Sequence, residues 1–203
     1  MEENAWGNVV QSNRYHAATQ FQPYRARRAF PCFDEPGFRA TFSTTLKYPS
    51  RFTMTRTNGQ ATGAAAVDGI WLTQKHSTTP AMSVYLNAFL VSDFRELSDQ
   101  RHRPRLSDRP RGRRILGKLG GEMMKALSAT YKQSFTAHLP KLDMAALPDK
   151  SGAMENWGLV LYGESYLMYQ EKVSTADSKR GDASITGHEL AHMVFGNLVT
   201  YEW

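Results

Sequence analysis

The feature that most restricts how this chain folds is a change of hydrophobic period near residue 95. Upstream of it, Phe38, Ala40, Phe42, Thr44 and Leu46 alternate with Arg39, Thr41, Ser43 and Thr45. A period of two marks a half-buried strand, because successive side chains leave a strand on opposite faces. Pro49 reads as its stop, and Asn58-Gly59 as a tight turn. Ile70 to Lys75 reads as a second strand. Met82 to Val91 reads as a third, with Met82, Val84, Leu86, Ala88 and Leu90 on one face. No helical period intervenes between residues 38 and 94, so this half is expected to be antiparallel β. Downstream, Met123, Met124, Leu127, Tyr131 and Phe135 share one face at helical spacing after Gly120-Gly121. Leu142 to Leu147 and Trp157 to Tyr162 read as short strands. A helix is expected from about Ala183 to Phe195, with Gly181 ahead of it and Gly196-Asn197 as its stop. The order predicts an α+β chain in two parts, residues 1–95 rich in β and residues 96–203 mixing helix and strand.

Hydrophobic residues make up 41% of the 203 and charged residues 22%, which excludes a disordered polyampholyte. No run of about 18 apolar residues occurs, so no transmembrane helix is expected within these limits. The acidic start Met1-Glu2-Glu3-Asn4 is not that of a signal peptide. Cys32 is the single cysteine and cannot close an internal disulfide. The net charge of +6 invites a nucleic-acid reading, but it has one local source. Residues 101–118 hold seven Arg and Lys118 against the single acid Asp108. That stretch has no aromatic residue to stack on bases, so it reads as a solvated loop and no nucleic-acid partner is expected.

The chemistry lies near the end. His188-Glu189-Leu190-Ala191-His192 is an H-E-x-x-H sequence. On a helix, residues four apart stack one turn above each other, so both imidazoles reach one point. Zinc accepts neutral imidazole nitrogens there, and Glu189 stands beside the first ligand to take a proton from water that the metal acidifies. The plainer alternative is an amphipathic helix with two incidental histidines. A second constellation is Gly152-Ala153-Met154-Glu155-Asn156, followed by Trp157-Gly158. It reads as a strand edge whose small residues let a substrate backbone approach, with one carboxylate able to hold an ammonium group. In isolation, Glu155 is an ordinary surface acid.

Together these motifs resemble the M1 family of zinc aminopeptidases, the gluzincins of the aminopeptidase N type. G-A-M-E-N stands at 152–156, and residues 157–187 separate it from His188, the spacing usual in that family. The stretches Ala18-Thr19-Gln20-Phe21-Gln22-Pro23, Ala26 to Pro36 and Leu139 to Asp143 match the same family, as does Phe195 to Thr200. The resemblance covers about residues 17–94 and 122–203. It departs at Gln22, where Glu is frequent, at Gly163, where Arg is common, and at Met193-Val194, which replaces Gln-Trp. Residues 97–118 match no pattern of the family.

The resemblance implies an antiparallel β-rich N-terminal domain portion over 1–95 and the start of a thermolysin-like catalytic domain over 96–203. It implies one zinc ion held by His188 and His192, with the third ligand a Glu beyond residue 203, and Glu189 as general base. Glu155 would bind the free amine of a peptide substrate, with Gln20, Gly152, Ala153, Met154 and Asn156 completing the substrate-binding set. The expected activity is hydrolysis of the N-terminal residue from peptides. A chain of these 203 residues, read as a fragment, is expected to be nearly inactive and to bind zinc weakly. The parent is expected to be a membrane-anchored ectoenzyme, with its peptidase on the extracellular face of the plasma membrane. A cytoplasmic member of the family is the alternative location. Three other readings stay open: a zinc endopeptidase, a catalytically incompetent binding or receptor protein with this fold, and a nucleic-acid binder resting on residues 101–118 alone.

Overall fold

The computed structural model describes residues 2–3, 9–10, 15–98, 104–108, 115–132, 138–139, 141–148, 150–167 and 174–202. Before residue 95 every strand pairing among the described residues is antiparallel, as the period of two predicts. Short strands β1 (Glu2–Glu3) and β2 (Val9–Val10) pair with each other. Strands β3 (Ala17–Ala18) and β6 (Met54–Thr57) flank β10 (Phe89–Ser92). Strand β4 (Arg39–Ala40) pairs with β9 (Met82–Ser83), and β8 (Trp71–His76) lies between β5 (Thr45–Pro49) and β7 (Ala61–Asp68).

The second half contributes a five-stranded mixed sheet in the order β11-β12-β13-β15-β14. Its strands are β11 (Arg95–Ser98), β12 (Pro104–Asp108), β13 (Leu142–Leu147), β14 (Ala153–Met154) and β15 (Leu159–Gly163). Pairs β12/β13 and β13/β15 are parallel, and the flanking pairs β11/β12 and β14/β15 are antiparallel. Helix α1 (Ile115–Tyr131) carries the chain from β12 to its parallel neighbour β13, as a parallel connection requires. Helix α2 (Ala176–Ala191) packs against α1.

Side-chain alternation along β13 and β15 shows how the sheet is covered. Met144, Ala146, Val160 and Tyr162 pack with Leu190 and Met193 of the α2 region and with Tyr85 and Leu86. Ala145, Leu147, Leu159 and Leu161 pack instead with Met54, Ala88, Leu90 and Phe94 of the upstream β layer. Both faces are buried, which is why these strands read as continuous apolar runs rather than alternating ones.

Several expectations are corrected. The strand expected over 38–46 is broken: β4 ends at Ala40 and β5 resumes at Thr45, running to Pro49 instead of stopping before it. Phe42, Thr44 and Leu46 do keep an inward-facing alternation. The single strand expected over 82–91 is two strands joined by a 3-10 turn at Val84–Leu86. Every residue from Met82 to Ala88 is buried, so alternation there had no exposed face to report. The last strand starts at Leu159, not Trp157. Helix α2 begins at Ala176, ahead of the expected start, and passes through Gly181. Part of the basic stretch read as a loop is the strand β12, bonded on both sides. Phe135 lies outside the described residues.

Candidate functional site

Helix α2 is capped by Thr175, whose hydroxyl accepts from the Ser178 N–H at 3.1 Å. Such a cap satisfies one of the amides that a helix start leaves without an intrahelical partner. The helix presents His188 and His192 at its far end. Their Nε2 atoms lie 3.1 Å apart, with the rings edge-to-face. His192 Nδ1 donates to the Phe195 carbonyl at 2.8 Å, which leaves Nε2 with the bare lone pair. Gly196 makes this seating possible. Its φ is +125°, and a Cβ there would sit 3.2 Å from His192 Nδ1.

The imidazole pair fits two corners of a metal shell. Two nitrogens each about 2.0–2.1 Å from one tetrahedral zinc would stand about 3.3–3.4 Å apart, close to the spacing found. Among the described residues no group of three His, Cys, Asp or Glu side chains is placed to hold a metal ion.

Glu189 points away from solvent and is 5% exposed. Its Oε2 is buried without a hydrogen-bond partner. Burial, and next the Glu155 carboxylate, push its pKa up to about 7; His192 and Lys150 partly offset this. A carboxyl group titrating near neutrality is matched to giving and taking protons.

The Gly152–Asn156 segment reaches the same place from the sheet. Strand β14 is the outer strand, with Ala153 opposite Tyr162 and Met154 opposite Leu161. Gly152 accepts from the Gly163 N–H at 2.8 Å, and Gly152 and Ala153 are half-buried. Glu155 is buried next to Glu189. Asn197, just past α2, donates from Nδ2 to the Glu155 carbonyl at 2.8 Å and so ties the two motifs together. Met154 and Asn156 are buried, so their side chains support the segment and present nothing to solvent. Gln20, on the upstream layer, is exposed and reaches the site through Lys150, whose Nζ donates to its Oε1 at 2.8 Å.

The structure therefore brings His188, His192, Glu189 and Glu155 together and links Gln20 through one intervening lysine. Sequence reasoning missed Lys150 and Asn197. Asn197 stood in a matched motif but was assigned only the role of ending a helix.

A model described as the Peptidase M1 N-terminal domain matches residues 8–86, and one described as the Peptidase family M1 domain matches 118–203. Among curated relatives, endoplasmic reticulum aminopeptidase 1 of Mus musculus is 41% identical over 199 residues, covering 94% of this chain and 21% of the relative. Aminopeptidase N of Canis lupus familiaris is 39% identical over 200 residues, covering 92% of this chain and 20% of the relative. Membrane alanyl aminopeptidase of Manduca sexta is 38% identical over 200 residues, covering 94% and 20%. The chain spans about a fifth of the length of the curated relatives it matches.

Proposed function

This chain belongs to peptidase family M1, and from that premise we propose that it carries part of a zinc-dependent aminopeptidase site that removes single N-terminal residues from peptides. The observation that supports the reading best is the meeting of two motifs: a pair of imidazoles converging within 3.1 Å, and two neighbouring buried carboxylates, Glu189 and Glu155. His188 and His192 would hold the ion through Nε2. A zinc ion there would polarise the scissile carbonyl and make water acidic enough to ionise near neutral pH.

The remaining steps belong to side chains of this chain. Glu189 takes the proton of the attacking water on a carboxylate oxygen and passes it to the departing amine. Glu155 accepts hydrogen bonds from the α-ammonium of the first residue, with Gln20 helping from across Lys150. The backbone of Gly152 and Ala153, on the outer strand of the sheet, guides the peptide as an added strand. Anchoring the amine leaves only the first peptide bond in reach of Glu189. Residues 1–95 would then be the end of the β-rich N-terminal domain and residues 96–203 the start of the catalytic domain.

We further place the protein at the extracellular face of the plasma membrane. The name of the Manduca relative supports a membrane location, and Phe33 in the F-P-C-F-D-E-P stretch at 30–36, where cytosolic members of the family more often carry Trp, supports the extracellular side. No described helix is long and apolar enough to cross a membrane.

The test gives the parent enzyme a free peptide and its N-acetylated twin in the presence of zinc. Only the free peptide should be shortened, one residue at a time, and a chelator should stop it. Equal cleavage of both would replace this reading with a zinc endopeptidase.

A further inference from the structure

Beside the amine-binding residues opens a cleft lined by Ala18, Thr19, Gln20, Leu147, Lys150 and Ala153. Two of these, Gln20 and Ala153, belong to the proposed substrate-binding set, so the cleft is where the side chain of a bound first residue would project. Apolar residues, Pro148 among them, share its lining with polar ones, His16 and Ser151 included. Among the described lining residues Lys150 is the one Lys, Arg, Asp or Glu, a half-buried ammonium with no carboxylate side chain in the lining.

Lys150 is held there by its surroundings. Its Nζ donates to Gln20 Oε1 at 2.8 Å, using one of three available donors. No carboxylate among the described residues is within ion-pair distance of it, although Glu189 and Glu155 are near enough to favour its charged form against the cost of burial. The loop path is fixed from behind. A Cβ at position 163 would lie 2.2 Å from the Lys150 carbonyl oxygen, so Gly163 is what lets the backbone take this course.

We propose that Lys150 is a specificity-determining residue that selects an acidic side chain, Asp or Glu, on the first residue of the substrate. This rests on the amine-anchoring reading above. When Glu155 is occupied by the substrate α-ammonium, one of the two carboxylates near Lys150 is satisfied elsewhere and the cleft gains a positive charge. A carboxylate side chain restores the balance with a charge-assisted hydrogen bond. An apolar side chain leaves the ammonium partly dehydrated without a partner, and a basic one adds like-charge repulsion.

The test is calorimetric binding of the α-amides of glutamate, leucine and lysine to this chain, which requires no turnover. The glutamate amide should bind about tenfold tighter than the leucine amide, with the lysine amide weakest. Lys150→Met should bring the glutamate and leucine amides within about twofold, and Lys150→Arg should keep the preference. The wild-type preference should also shrink as salt is added, a readout that holds if Lys150→Met fails to fold. Equal binding of the amides, a preference that survives Lys150→Met, or one insensitive to salt would overturn the inference. N-acetylated glutamate amide separates it from its premise. If it binds as well as the free amine, amine anchoring fails while the acidic selectivity of Lys150 stands. Absence of binding by every amide would overturn both.

Discussion

The two nitrogens of His192 do opposite jobs: Nδ1 donates to Phe195, so Nε2 is left as an acceptor facing His188. The H-E-x-x-H spacing makes the convergence of the rings legible from helix geometry alone. Their orientation is not, because it depends on a carbonyl in the turn beyond the helix and on Gly196. Gly196→Ala forces a left-handed residue to carry a Cβ 3.2 Å from the His192 ring. Zinc affinity should fall about 10–100-fold, the range found when a ligand's orienting partner is lost. Competition with a zinc-binding dye measures it, and an unchanged affinity would mean that the ring needs no such support. Glu189→Gln removes the proton acceptor while keeping size and burial. Turnover of a free peptide by the parent enzyme of the proposed function should drop about 10²-fold or more with zinc content preserved. Unaltered turnover would remove Glu189 from the role of base. The identity of this glutamate was readable in the motif, but its environment was not. Its raised pKa comes from burial and from Glu155, which stands far upstream in sequence and arrives only through the fold of β14 and the Asn197 tie.

Strand and helix boundaries were legible where turn residues bound an apolar run and illegible where a buried run carries no such stop. Leu142–Leu147 was found at its true limits because its apolar run is bounded by turn residues. The segment from Met82 to Ala88 is buried throughout, so its alternation suggested one strand where two strands and a 3-10 turn exist. Charge hid β12, since strand pairing is made by the backbone and a count of arginines says nothing about it. Helix α2 was placed too late for a different reason. Its first turns carry Asp177, Ser178, Lys179 and Arg180, which show no apolar period, and the start is encoded instead by the Thr175 cap. Thr175→Ala should therefore cost about 1 kcal/mol and release the amides of the first turn. Faster hydrogen exchange confined to residues 176–180 would bear this out, whereas exchange unchanged there would mean that packing on α1 holds the helix start without its cap.

The two halves of the chain are joined by buried polar contacts as well as by shared apolar cores. Asn58 was read as a turn residue, yet its Nδ2 donates to the Leu86 carbonyl at 2.7 Å and to the Trp157 carbonyl at 2.8 Å, while its Oδ1 accepts from the Ala88 N–H at 2.7 Å. Gly158, with φ +91°, allows this approach; a Cβ there would stand 2.6 Å from the Asn58 carbonyl oxygen. Asn58→Ala strands three buried backbone groups and should cost about 3 kcal/mol in urea unfolding. Next to it, Lys141 bonds the carbonyls of Thr57 and Gly158 and pairs with Asp143 at 2.7 Å, which also faces Arg56 at 3.5 Å. His76 lies against this group, buried, with Nδ1 lacking a hydrogen-bond partner and Nε2 3.4 Å from Thr55 Oγ1. Burial first, then the Lys141 cation, lower its pKa from 6.5 to about 4, with Arg56 adding to the effect and the Thr44 backbone and Asp143 opposing it. The unfolded chain therefore takes up a proton near pH 6.5 that the folded chain refuses until about pH 4, so stability is lost as pH falls through that window. The loss should reach about 2 kcal/mol at pH 5 and about 3 kcal/mol at pH 4. Glu189 acts in the opposite sense in the metal-free chain. Its raised pKa favours the folded state as pH falls from 7 towards 4.5. The measurement must therefore be the difference in urea-unfolding free energy between wild type and His76→Gln, taken at pH 7 and pH 5, in which the Glu189 contribution cancels. The wild type should lose about 2 kcal/mol more than the variant between those two pH values, and parallel pH profiles would show that His76 is not held neutral by this junction.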